Sequence, residues 1–329
     1  MTASEAPATA RPVRIGTRAS QLALWQAGHV RALVQGLAGA PPVELVEIRT
    51  SGDRQAQVPL WQAGGRAFFT REIDEALLAG EVDVAVHSLK DLPTQLEAGL
   101  VLAATLPRGD ARDALVSRTG APLRELPRGA RIGTSSLRRR AFLARARPDA
   151  TPLELRGNVP TRLERLRRGD YDAVILAAAG LERLGLKSEI SEYLPPKEFP
   201  PAVSQGVIGV CARAQDVPTL RWLTPLDDPG ARLATCAERA LLGGIEGGCQ
   251  VPVGVVTRIH HNRLYLEASV CTLDGTRLLH ASGSADVSLM PGSLAAAAAL
   301  GEQVAGQLLA QGAAELIAGQ RRELAVSAP

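Results

Sequence analysis

Arg131-Ile132-Gly133-Thr134-Ser135-Ser136-Leu137-Arg138 reads as a short strand, a glycine-threonine turn and a helix start rich in hydroxyls. Near the beginning of the chain Arg14-Ile15-Gly16-Thr17 runs into Arg18-Ala19-Ser20 and a helical pattern through Leu22, Leu24, Trp25 and Val30. The same device therefore occurs twice, and each copy offers an anion the free N–H groups and positive dipole end of a helix. A second echo accompanies the first. Leu78-Ala79-Gly80-Glu81-Val82-Asp83-Val84-Ala85-Val86 and Leu166-Arg167-Arg168-Gly169-Asp170-Tyr171-Asp172-Ala173-Val174-Ile175 each end a helix, turn at glycine and enter a buried strand. Two similar α/β domains are the economical interpretation.

Between them Thr105-Leu106-Pro107-Arg108-Gly109-Asp110 reads as a crossing strand, and Phe199-Pro200-Pro201-Ala202-Val203-Ser204-Gln205-Gly206 as the return. Gly206 to Cys211 then predicts a strand that rejoins the first domain. Paired crossings make a hinge, and ligands of open sheets bind beyond the carboxyl ends of the strands, which puts a cleft between the domains. From about Pro229 the pattern changes. A helix over 231–242, strand-like runs at 251–257, 263–271 and 276–283 with Asp274-Gly275 as a hairpin signal, and closing helical sequence over 294–317 predict a small α+β domain. The expected boundaries are 10–106 with 207–224 returning to it, 112–200, and 229–322.

The chain's 329 residues exceed one ordinary core. Its start, MTASEAPATARP, has no apolar stretch of the signal-peptide kind, and the run Ala295 to Ala299 is too short for a bilayer, so a cytoplasmic location with no membrane partner is expected. The four cysteines, at 211, 236, 249 and 271, form no CxxC pair and the five histidines do not join them in ligand spacing. Neither a disulfide framework nor a metal site is indicated. Charge is strongly local. From Arg131 to Arg168 stand eleven arginines (131, 138, 139, 140, 145, 147, 156, 162, 165, 167 and 168) against three acids, Asp149, Glu154 and Glu164, with no lysine. A solvated helix face accounts for many such runs, but guanidinium is the group that meets carboxylate or phosphate with two parallel hydrogen bonds.

Of the cysteines, Cys249 sits in Glu246-Gly247-Gly248-Cys249-Gln250-Val251-Pro252, where two glycines permit a turn from which sulfur can project. Together with His87-Ser88-Leu89-Lys90-Asp91-Leu92-Pro93, Gly133-Thr134-Ser135-Ser136-Leu137-Arg138-Arg139, Leu155-Arg156-Gly157-Asn158-Val159 and Thr161-Arg162, that loop closely resembles the porphobilinogen deaminase (hydroxymethylbilane synthase) family. The resemblance runs from about Arg14 to Glu315. It implies two periplasmic-binding-protein-like (type II) α/β domains with a central cleft and a small α+β C-terminal domain carrying a dipyrromethane cofactor, thioether-linked to Cys249. It implies a monomeric transferase that joins four porphobilinogen molecules head to tail with release of ammonia, giving hydroxymethylbilane for porphyrin and haem synthesis.

Asp91 is the catalytic residue by this resemblance. On its residues alone Lys90-Asp91 reads first as a surface ion pair worth about 0–1 kcal/mol; in the family reading the carboxylate stabilises the cation left when ammonia departs and takes part in proton transfer. Arg18, Ser20, Lys90, Thr134, Ser135, Ser136, Arg138, Arg139, Arg156 and Gly157 match cofactor-binding positions. Arg18, Phe69, Arg156, Arg162, Arg183 and Gln205 match substrate-binding positions, Asp53 a structural one, and Arg239 reads as either a helix-surface residue or a domain-interface cation. Gln62 and Arg66 stand where lysines are usual, Ala67 near a usual glycine, and Ser204 replaces a glycine before Gln205-Gly206. Two other classes fit less well. A small-anion-binding sensor module would share the cleft but has no need of a Gly-Gly-Cys loop on a third domain. A nucleic-acid binder would use the arginines, yet aromatic residues are only 3% and not interleaved with them, so base-stacking platforms are missing.

Overall fold

The computed structural model describes residues 11–54, 70–245, 251–287 and 291–326. Gln62, Arg66, Ala67, Phe69, Cys249 and the side chain of Asp53 lie outside what is described. The first sheet takes β1 (Val13–Thr17), β2 (Val43–Glu47), β3 (Val84–Ser88), β4 (Leu100–Thr105) and β10 (Ile208–Arg213) in the order β2-β1-β3-β10-β4. The second takes β5 (Asp113–Ser117), β6 (Arg131–Gly133), β7 (Thr151–Leu153), β8 (Ala173–Ala177) and β9 (Glu192–Tyr193) in the order β7-β6-β8-β5-β9. In each, four of the five strands run the same way, and the fourth in the order runs antiparallel to both neighbours. That fourth strand is β10, delivered by the returning chain, in one sheet and β5, delivered by the outgoing chain, in the other. The two sheets share one strand order and exchange a connection, so the two similar α/β domains that the repeated motif predicts are present.

The helices follow from capping and apolar spacing. Helix α1 (Gln21–Gln35) starts at Ser20, whose Oγ accepts from the Ala23 N–H at 3.3 Å; α4 (Leu137–Ala146) starts at Ser136, which accepts from Arg139 N–H at 3.4 Å. Between them in the chain come α2 (Ser51–Arg54) and α3 (Arg71–Leu78). Asn158 caps α5 (Val159–Arg167), and α6 (Ala178–Arg183) and α7 (Val217–Leu223) complete the two α/β layers. Gly80 and Gly169 hold the paired turns at φ +73° and +88°, the left-handed region that glycine enters at least cost. Central strands β3, β5, β8 and β10 are buried on both faces, as sheets covered by helices on both sides must be.

The third sheet, β11 (Val253–His260), β12 (Arg263–Cys271) and β13 (Leu278–Asp286), is an antiparallel meander. Alternate β12 residues Leu264, Leu266, Ala268 and Val270 face a core built with α8 (Pro229–Gly244) and α9 (Leu294–Ala310), and α10 (Ala313–Val326) packs beside them. Only one end of this meander was signalled by Asp274-Gly275. The β11–β12 turn uses His261 and Asn262, both in the left-handed region at φ +49° and +56°. One local expectation fails: residues 106–112 are coil, with no strand pairing for the outgoing crossing, because Pro107 removes a ladder donor and Leu106 instead donates to Ile208 O, the last rung beside β10. Among the described residues no helix is long and apolar enough to cross a membrane.

Candidate active site

Four of the motifs singled out in the two α/β domains lie at the carboxyl ends of strands. Arg18 and Ser20 follow β1, Lys90 and Asp91 follow β3, Thr134 to Ser136 follow β6, and Arg156 and Gly157 follow β7. The topology aims these ends at one cleft. Helix α1 on one side meets α6 on the other, with the Arg183 guanidinium 5.8 Å from the Trp25 ring centre and its Nη2 donating to Gly206 O at 2.6 Å.

Arg138 and Arg139 converge on a carboxylate that the sequence reading did not single out. Arg138 Nη1 lies 2.8 Å from Asp113 Oδ2 and donates also to Pro200 O at 2.6 Å, while Arg139 Nη2 lies 2.8 Å from Asp113 Oδ1 and its Nη1 donates to Ile175 O. All three residues are buried. Burial alone would raise the Asp113 carboxyl, but the two guanidiniums overcome it and hold it well below the usual carboxylate range. Gln205 joins this group to the other domain: its Nε2 donates to Asp113 Oδ1 at 2.9 Å and its Oε1 accepts from Lys90 Nζ at 3.3 Å. Asp113 was legible in one respect, since an acid opening a buried strand, Asp-Ala-Leu-Val-Ser, needs a buried cation.

The arginine run as a whole is less concentrated on the cleft than its count suggested. Arg131 pairs with Asp172, Arg147 with Asp149, Arg165 with Asp170 and Arg167 with Glu189, at 2.8 to 3.1 Å, and Arg168 lies 3.6 Å from Asp170. Several of these acids fall just past Arg168, so a count that stops there misses them. Arg145 donates to Gly275 O and binds the second domain to the third.

What remains is a set of cations that depress one another. Burial lowers Lys90 to about 8, with Arg139 and Arg138 adding to the effect and Asp91 opposing it. Burial lowers Arg162 to about 10, again with Arg139 and Arg156 adding and Glu154 and Asp91 opposing. Arg156 is lowered by burial and by Arg18, and its Nε is buried with no hydrogen-bond partner among the described residues. Arg162 Nε donates to Gly157 O at 2.7 Å. A cavity of about 80 Å³ brings Arg18, Ser20, Gln26, Thr70, His87 and Asp91 together. The structure thus gathers Arg18, Lys90, Asp91, Arg138, Arg139, Arg156, Arg162 and Gln205 into one field. Thr134 accepts from Ser136 N–H at 3.2 Å and Ser135 donates to Leu155 O, so both hydroxyls shape the turn between β6 and α4.

The porphobilinogen deaminase, dipyromethane cofactor binding domain family matches residues 13–221, and the porphobilinogen deaminase, C-terminal domain family matches residues 233–310. The chain belongs to the porphobilinogen deaminase family. It is 45% identical over 309 residues to the porphobilinogen deaminase of Syntrophobacter fumaroxidans, covering 94% of this chain and 98% of that one. Identity reaches 49% over 305 residues with the Roseiflexus castenholzii protein of the same name, covering 93% and 98%, and 45% with that of Geobacter metallireducens, covering 94% of each. The chain is accordingly a transferase that polymerises porphobilinogen into hydroxymethylbilane with loss of ammonia, in porphyrin synthesis, and its first matched region is one that binds dipyrromethane.

Dipyrromethane carries several carboxylates, and the cleft fits such a group. A buried Arg156 Nε with no partner among the described residues and a lysine whose charge burial disfavours are both relieved by added carboxylate. Sequence reasoning also missed Glu238, fully buried on α8, which accepts from Arg108 Nη2 at 2.8 Å on the outgoing crossing, from Ser204 N–H at 2.6 Å on the return, and from Thr257 on β11. Arg239, next in the helix, donates to Pro93 O at 2.6 Å and to Thr94 O at 3.1 Å, and so is a domain-interface cation.

Proposed function

We propose that Asp91 steadies the cation left on the substrate when ammonia departs and handles the proton released on coupling, while Arg18, Lys90, Arg156 and Arg162 bind carboxylates of the cofactor, the substrate and the growing chain. One observation supports this division most directly: burial in a confined cleft lowers the proton affinity of Lys90, Arg156 and Arg162, neighbouring arginines add to the effect, and Asp91 opposes it at Lys90 and Arg162. A carboxylate-rich guest supplies the missing negative charge, and guanidinium meets it with two parallel hydrogen bonds. Arg138 and Arg139, tied to Asp113, act as the rigid positive wall behind the guest, together with the helix starts capped by Ser20 and Ser136. The O–H of each cap, whose oxygen accepts from its helix, can still donate to the cleft, as Thr134 and Ser135 support the turn that carries it.

Dipyrromethane, thioether-linked to Cys249, supplies the pyrrole carbon on which the chain grows when bound. The glycine-rich sequence at 246–252 follows α8 directly, and α8 is the helix whose Glu238 and Arg239 touch both crossings and the loop after Asp91. That continuity supports Cys249 reaching the cleft. Phe69, Arg183 and Gln205 complete the substrate side, and the segments 106–112 and 200–207 serve as hinges between the units 10–106 with 207–224, 112–200 and 229–322. The protein works as a cytoplasmic monomer. The test of the catalytic assignment is Asp91→Ala: retention of the dipyrromethane mass with turnover reduced at least about a hundredfold, the scale of a lost proton-transfer and charge-stabilising group, supports it. Normal tetrapyrrole output from that variant removes Asp91 from the role.

A further inference from the structure

Beside the cavity that Asp91 lines, three polar atoms have no hydrogen-bond partner among the described residues: Thr70 Oγ1 and His87 Nε2, whose residues line the cavity, and Asp74 Oδ1, which adjoins His87. Thr70, Asp74 and His87 are 1%, 3% and 5% exposed. His87 Nε2 stands 3.8 Å from Asp74 Oδ1, too far for a direct hydrogen bond. Thr70 is the N-cap of α3 yet its hydroxyl makes no capping bond, although a capping threonine normally stabilises a helix. The approach of the Thr70 hydroxyl to the Asp74 carboxyl only partly offsets the cost of leaving such groups unpaired in the interior, and their convergence favours a small polar guest. With Thr70 and His87 lining about 80 Å³ together with Arg18 and Asp91, there is room for one.

The chemistry of the three groups narrows the choice. Burial, with Arg18 adding, lowers His87 to about 4, so its imidazole is neutral at working pH and one ring nitrogen accepts. Burial raises Asp74 to about 6, opposed by the neighbouring Thr70 hydroxyl, and above that value it is a carboxylate. Carboxylate, hydroxyl and imidazole are an acceptor set for a compact guest with several N–H donors. The reaction of this family releases such a molecule at every coupling.

We propose that Thr70, Asp74 and His87 form the pocket that receives the departing ammonia. This rests on the reading that coupling takes place at Asp91. The substrate's amine arrives protonated, and its C–N bond breaks with both electrons on nitrogen, so NH₃ leaves and the positive charge stays on the substrate carbon. When the C–C bond forms, the pyrrole carbon that attacks this cation loses a proton. Asp91 carries that proton to the waiting NH₃, and the ammonium formed sits against the Asp74 carboxylate with charge and atoms in balance. Arg18, facing the same cavity, repels the new cation and favours its release.

The proposal is tested on the cofactor-loaded enzyme by comparing ammonium chloride with sodium chloride and tetramethylammonium chloride at equal ionic strength, in the original protein and in Asp74→Asn. Ammonium is expected to inhibit more strongly than either control, and this excess to weaken at least about fivefold in Asp74→Asn. Crystals of the unaltered protein soaked in thallium(I), a cation of ammonium's size, are expected to give an anomalous peak beside Asp74 Oδ1 and His87 Nε2, a measurement that stands even if the variant does not fold. Ammonium no more inhibitory than sodium, equal inhibition of both proteins, or no thallium peak overturns the pocket. The Asp91→Ala experiment separates the two readings: a stalled Asp91 variant with no ammonium-specific effect leaves the catalytic assignment standing and removes only the pocket.

Discussion

Asp113 anchors the scaffold beside the cleft, because two buried guanidiniums and the Gln205 amide all end on it. Asp113→Asn keeps the shape but leaves Arg138 and Arg139 uncompensated, and breaking a buried pair in this way costs about 3–5 kcal/mol. Urea unfolding at neutral pH is expected to register that loss. The pH dependence follows from the same pair. Since the folded carboxyl is held below its unfolded value, the stability it contributes is present above the ordinary carboxylate range and is lost as pH falls through and below it. The urea midpoint of Asp113→Asn should therefore fall less steeply than that of the unaltered protein below about pH 4; parallel slopes would show that other groups govern acid unfolding. Ser204 offers a contrast. It lies at φ +60°, a conformation costing a non-glycine residue about 1–2 kcal/mol, and its buried Oγ lacks a partner among the described residues. Ser204→Gly is expected to raise stability by roughly 0.5–1 kcal/mol after the entropy of the freer unfolded chain is deducted. An unchanged or lower midpoint would show that the serine is not strained.

At the scale of elements, α8 is the part that joins the first sheet, the third sheet and both crossings. Its close contact with α9 depends on Gly301, where an added Cβ would come 2.2 Å from Ala237 O. Gly301→Ala must push the helices apart, and a loss of about 1–3 kcal/mol in chemical denaturation is expected from such overpacking. Arg239 on the same helix fixes the backbone just after Asp91. Arg239→Leu should leave the folded protein and its cofactor mass intact while lowering turnover by about tenfold, read as initial rate against substrate. A rate equal to that of the unaltered protein would make the contact dispensable. Elements were the scale at which the sequence was most legible. Glycine turns, hydroxyl caps and strands too apolar to face water announced both α/β sheets, because each of those signals is local. The outgoing crossing and the His261-Asn262 turn were not announced, since the first was misread across a proline and the second uses residues that enter the left-handed region less often than glycine does.

For the whole molecule, the cleft's chemistry was only half visible in the chain. Motif order disclosed which strand ends carry Arg18, Asp91, Ser136 and Arg156, because each lies within a few residues of its turn. Pairings across long separations were hidden: Asp113 with Arg138 and Arg139, Gln205 with Lys90, and Glu238 with Arg108 and Ser204. These pairings decide which arginines stand ready for a guest and which are committed to the scaffold, something a local charge count cannot distinguish. The resulting account is of a hinged, cation-walled cleft holding a carboxylate-rich primer on a thiol from the third domain. Its most direct test is intact-protein mass spectrometry of the active enzyme followed by peptide mapping. The account requires one dipyrromethane adduct on the peptide containing Cys249, absent from Cys249→Ser, which should be inactive. An active enzyme with the bare polypeptide mass, or an adduct on Cys236 instead, would contradict it.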